Sequence, residues 1–109
     1  MNDLLLREIC ELTGVTRRAI QGYEKAGLIT PTGKTKHGYL LYNETLVPSI
    51  NKIKLFQDRG FSLKEIKSFE NLTKEDFKFI LIQKVFELKM EQTHLEQVTS
   101  DIQTIISEL

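Results

Sequence analysis

The chain has 109 residues, 40% of them apolar, which is enough for one modest core and too few for two independent ones. Fifteen Lys and Arg balance fifteen Asp and Glu, which argues against a uniformly basic polyanion binder. No run approaches the roughly 18 to 20 apolar residues of a membrane span, and the apolar run at residues 4–6 is too short for a signal-peptide core, so a cytoplasmic protein with no membrane partner is expected.

The balanced total hides an uneven distribution. Residues 12–67 carry ten Lys and Arg against four Asp and Glu, whereas residues 70–109 carry four against eight. A basic front half and an acidic tail fit contact with a polyanion through one face only. Cys10 is the sole cysteine, which rules out an internal disulfide and a multi-thiolate metal cage.

In chain order, the segment at residues 4–6 precedes a first helix expected at about residues 7–13. Ile9 and Leu12, with Leu5 or Leu6 on the preceding turn, keep helical spacing there. Cys10 falls on that apolar side and reads as a small core thiol, with a redox or metal role as the alternative. Gly14 supplies a left-handed stop. Thr16 suits the N-cap of a second helix reaching about residue 26, with Gly27 as its C-cap. Ala19, Ile20, Tyr23 and either Ala26 or Leu28 form its inward stripe, leaving Arg17, Arg18, Gln21, Gly22 and Lys25 wholly or partly outward. The pair reads as a helix-turn-helix, and its second helix opens with adjacent arginines where a recognition helix meets double-stranded DNA.

Pro31, Gly33 and Gly38 then punctuate the chain, and the YLLYN run after them is rich in strand formers. Residues 28–42 are expected to form a two-stranded wing whose loop carries Lys34, Lys36 and His37. A third helix is expected at about residues 43–59, with Val47, Ile50, Ile53, Leu55 and Phe56 apolar. Pro48 is harmless in a first turn but costs roughly 3 kcal/mol deeper, so regular helix begins near Thr45 or kinks there. Gly60 ends it. Ser62 caps a fourth helix at about residues 62–69, with Glu65 at the reciprocal capping-box position.

From Thr73 onward there is neither Gly nor Pro. Leu81, Leu88, Leu95, Ile102 and Leu109 recur every seven residues, and Phe77, Val85, Val98 and Ile105 or Ile106 fill much of the second position. This is a coiled-coil seam, with Gln92 and Thr99 as polar breaks that fix register. A helix of about 55 Å is too long to bury its whole stripe on so small a core. Homodimerisation through it is the expectation; packing back on its own domain and a different partner are the alternatives.

At this point the residues resemble the MerR family of bacterial transcription regulators. The likeness runs through LREICELTGVTRRAIQGYEKAGLI, HGYLLYNE and LFQDRGFSLKEI, covers residues 6–67, and agrees in kind with that family's dimerisation helix. It implies a mainly α fold: a winged helix-turn-helix DNA-binding domain over residues 1–70, including a second helix pair, then a dimerisation helix over residues 71–109 that pairs as an antiparallel coiled coil. It further implies a homodimer that sits on promoter DNA and distorts it so that RNA polymerase can use it.

Carried over onto this chain, Thr16, Arg17 and Arg18 match the start of the recognition helix, and Tyr23 and Glu24 match its tyrosine and acidic positions. Arg18 is the strongest candidate for a base-edge or phosphate contact; the alternative is an exposed arginine paired with a carboxylate. Tyr23 has two readings, core packing or a hydroxyl reaching a phosphate. Glu24 would orient a neighbouring cation. Lys25, Lys34, Lys36, His37 and Tyr39 are candidate backbone neighbours, and Tyr42 belongs to the core. The expected dimer contacts are Leu81, Val85, Leu88, Leu95, Val98, Ile102, Ile105 and Leu109.

Two departures from the family stand out. Gln21 and Gly22 occupy positions where the family generally has Arg and Tyr, and Leu40 stands where it tends to have Arg. Each lost cation removes a phosphate contact and flattens the salt dependence, although Gln21 can still read adenine. The last helix carries no terminal thiol of the kind metal-sensing relatives have, and the expectation is that no appended ligand-binding domain is present. No metal or cofactor is therefore expected, whether any effector exists is left open, and His37 and His94 are read as surface histidines. The competing functions are a protein-interaction module with a weakened DNA head and a small-ligand sensor using Phe77, Phe79 and Phe86. No catalytic constellation is present, so an enzyme is not expected.

Overall fold

The computed structural model describes residues 3–109. They divide into two compact units, Met1–Glu70 and Asn71–Leu109, each considered by itself below.

The first unit begins with β1 (Asp3–Leu5) and runs without a loop into α1 (Leu6–Thr13). The Leu5 amide donates to the Glu8 carboxylate at 2.9 Å, which satisfies one donor at the helix start. At the other end Gly14 takes φ 69°, and its amide bonds the Cys10 carbonyl. That left-handed residue turns the chain into α2 (Arg17–Lys25), where the Thr16 hydroxyl accepts from the Ala19 amide at 3.1 Å. Helix α2 closes at Gly27, with Leu28 N–H on the Tyr23 carbonyl and Gly27 N–H on that of Glu24, the paired bonds of a Schellman ending.

Strands β2 (Gly33–Lys34) and β3 (Leu40–Asn43) form the expected wing hairpin, with Lys34 opposite Leu40. The sheet is larger than expected. Strand β1 pairs antiparallel with the other edge of β3, Leu4 opposite Tyr42, giving the order β1-β3-β2. A three-residue leucine-rich strand carries no periodicity of its own; its pairing with β3 is what defines it.

Helix α3 (Leu46–Asp58) starts late enough to put Pro48 in its first turn. The missing amide is one that would lack an intrahelical partner in any case, so the proline is accommodated there. Helix α4 (Leu63–Ser68) carries the full capping box, Ser62 Oγ accepting from the Glu65 amide and Glu65 Oε1 from the Ser62 amide. Phe56, Phe61 and Phe69 meet edge to face with centroids 5.2–6.0 Å apart, pinning the end of α3 to the end of α4.

The core of this unit is Ile9, Val15, Ile20, Tyr23, Ile29, Tyr42, Ile50, Ile53, Phe61 and Ile66. Leu12 was expected on the inward side of α1, but it is 62% exposed. Helix α1 is only eight residues long, and past the turn at Gly14 it is Val15 that is buried, at 4% exposure. Leu55 is likewise exposed, and Cys10 is half-buried as a free thiol.

The second unit is α5 (Lys74–Ser107), capped by Thr73 Oγ1 accepting from the Asp76 amide. Its 34 residues span about 51 Å, and none of them is buried.

Candidate nucleic-acid interface

The exposed arc of α2 follows from its inward one. Ile20 and Tyr23 point into the core, so helical geometry sends Arg17, Arg18, Gln21 and Lys25 outward, and all four are exposed. Arg18, Gln21, Gly22, Glu24 and Lys25 line an open depression on this face. Among the described residues the ion pairs are Lys54 with Asp58, Lys67 with Glu70 and Lys84 with Glu87. Arg17, Arg18 and Lys25 are in none of them, so three exposed cations share the helix without an ion pair, although Glu24 lines the same depression as Arg18 and Lys25. Thr16 is also exposed, with its oxygen engaged in the cap.

Helix α2 is anchored at three points on its other sides. The Tyr23 hydroxyl donates to Gln57 Oε1 of α3 at 2.8 Å, the Tyr42 hydroxyl of β3 donates to Glu24 Oε1, and Lys67 of α4 donates to the Gly27 carbonyl at 2.9 Å. The last bond brings a cation to the negative end of the helix dipole. Both tyrosines are held protonated beyond the ordinary phenol range. Burial is the main cause for each; at Tyr42 the bond to Glu24 and its charge add to it, and at Tyr23 the charge of Asp58 does.

Two expectations change here. Tyr23 is 1% exposed with its hydroxyl committed to Gln57, so the structure places it in the core and not on the DNA-facing surface. Glu24 does not orient a neighbouring cation; it holds the wing strand through Tyr42. Sequence reasoning passed over Gln57 and Lys67. A buried tyrosine implies an acceptor somewhere, but nothing in the local pattern says which of the later residues supplies it.

In the wing, Thr35 and Gly38 close the loop through the Gly38 amide on the Thr35 carbonyl and the Tyr39 amide on Thr35 Oγ1. Lys34, Lys36, His37 and Tyr39 are exposed on it, Tyr39 at 68%. On α5, Val85, Leu88, Leu95, Val98, Ile102 and Ile105 are exposed and Leu81 is half-buried; Leu109, two residues beyond the helix, is exposed too. No group of three or more His, Cys, Asp or Glu able to hold a metal occurs among the described residues, and none of their helices is long and apolar enough to cross a membrane.

Helices α1 and α2 joined by a tight turn, followed by the β2–β3 wing, make a winged helix-turn-helix, and both α2 and the wing present exposed cations. Residues 5–73 match the family described as MerR HTH family regulatory protein, and the chain belongs to that family, whose members are DNA-binding transcriptional regulators. It is similar to the HTH-type transcriptional regulator CueR of Escherichia coli O157:H7, 28% identical over 101 residues, which cover 87% of this chain and 73% of the relative. It is also similar to the HTH-type transcriptional activator mta of Bacillus subtilis strain 168, 29% identical over 103 residues, 94% of this chain but 40% of the relative. A MerR-family regulator from Bacillus cereus superposes with a TM-score of 0.80 at 28% identity, covering 91% of this chain and 76% of that one. HiNmlR, a MerR family regulator lacking the sensor domain and bound to promoter DNA, shares the fold at a TM-score of 0.65 and 18% identity, over 91% of this chain and 80% of its own.

Proposed function

We propose that the protein works in the cytoplasm as a homodimer on promoter DNA, with α2 in the major groove, the wing along the phosphate backbone, and the DNA distorted in a way that serves RNA polymerase. The observation that carries this reading is the face of α2: Arg17, Arg18 and Lys25 stand exposed together on it and make no ion pair among the described residues, an arrangement suited to contact with a polyanion. The seam of α5 supports the dimer, because a stripe of exposed aliphatic residues at heptad spacing needs a second helix. Two α5 helices pairing antiparallel would hold two α2 faces apart on successive turns of one duplex. The same unpaired cations count against a protein-interaction module that has given up DNA.

The test is salt-dependent binding to the duplex upstream of its own coding region, for the wild type and for Arg17→Ala plus Arg18→Ala. Four cations removed per dimer should lower the slope of log K against log salt by roughly 2 to 4 and the affinity with it. An unchanged slope would remove these arginines from the interface.

A further inference from the structure

Gly22 lies inside α2, where glycine is a poorer helix former than alanine, and nothing in the fold asks for it. Its φ is not positive, and a Cβ there would meet only Leu63 Cδ1 of α4, at 4.0 Å, an ordinary contact. The missing side chain is therefore not explained by packing. It falls at the α4 edge of the exposed arc, with Arg18, Gln21, Lys25 and Glu24, the last held by Tyr42, in one open depression. Glycine in such a place lets a backbone approach a ligand closely.

Gln21, next to it, makes no hydrogen bond among the described residues, so its carboxamide, one donor and one acceptor side by side, is unspent. That pair of atoms matches N7 and N6 on the major-groove edge of adenine. Glutamine carries its polar end two bonds nearer the backbone than arginine does, so it reads a base only if the helix sits deep in the groove.

We propose that Gln21 and Gly22 form the specificity-determining pair of this interface, Gln21 reading an adenine in each half-site and Gly22 providing the clearance that brings α2 close enough. The pairing rests on the DNA-binding reading above and adds the base it selects.

The experiment is selection from a randomised duplex library by the full chain, followed by titration of the selected duplex and of single base-pair variants at fixed salt. The wild type should enrich a site with one adenine per half-site, replacement of which weakens binding about 5- to 150-fold. Gln21→Ala should abolish discrimination at that pair alone and keep the other preferences. Gly22→Ala should raise the melting temperature yet weaken binding to the selected site at least tenfold, with random duplex bound as before; a purely structural glycine would not move stability and specific affinity in opposite directions. Unaltered base preferences in Gln21→Ala, or undiminished specific binding in Gly22→Ala, overturns the proposal and leaves the DNA-binding reading standing. A wild type that enriches no sequence overturns both.

Discussion

Tyr42 and Tyr23 set the pose of α2 from two sides, one reaching in from the wing and the other reaching out to α3. A hydrogen bond to a charged group contributes about 1.5 to 3 kcal/mol. Glu24 keeps partial access to water, so Tyr42→Phe should cost about 1.5 kcal/mol, read as a lower denaturant midpoint at unchanged slope. The phenols also predict a pH dependence. Their folded pKa values lie above the unfolded value of about 10, so above that pH the unfolded chain binds fewer protons than the folded one and stability falls. Melting temperature should therefore hold from pH 7 to about 9 and decline beyond pH 10, with a shallower decline in Tyr42→Phe. Tyr42 was legible as core from the strand pattern. The burial of Tyr23 was only half legible, since an amphipathic ring at the edge of a helical stripe fits a core or a surface equally well until its acceptor, 34 residues away, is known.

At the level of elements, the helix-turn-helix was readable because its punctuation is local. Gly14, Thr16 and the Ser62 to Glu65 box each act within three or four residues, and each is found where the pattern put it. Strand β1 was not readable, because its only signal is a partner in β3 some forty residues on. The local devices make a further expected outcome concrete. Nothing lies within 4 Å of a Cβ at Gly14, yet its φ is 69°, so Gly14→Ala should cost about 1 to 2 kcal/mol from backbone strain alone. Thr16→Ala should cost about 1 kcal/mol through the lost cap. Both should lower thermal stability, in contrast to the gain expected at Gly22, where the backbone is ordinary helix.

At the level of the whole molecule, the two units differ in charge and in the surface they expose. The cations that face solvent unpaired on α2 belong to the first, and the exposed heptad aliphatics belong to the second. Heptad spacing made the seam visible, but a pattern in one chain does not name the surface that covers it. On the dimer reading, Leu88→Asp with Leu95→Asp should give a monomer by sedimentation at tens of micromolar while the far-ultraviolet signature of the first unit persists, and DNA affinity should fall steeply as two linked contacts become one. The central claim, that two such heads hold one promoter site, is tested most directly by titrating the protein onto its own upstream duplex and a shuffled duplex of equal length at low salt. A dimer on one site should saturate at two chains per duplex and clearly prefer the native sequence. Equal affinity for the two duplexes, or saturation at one chain, would contradict it.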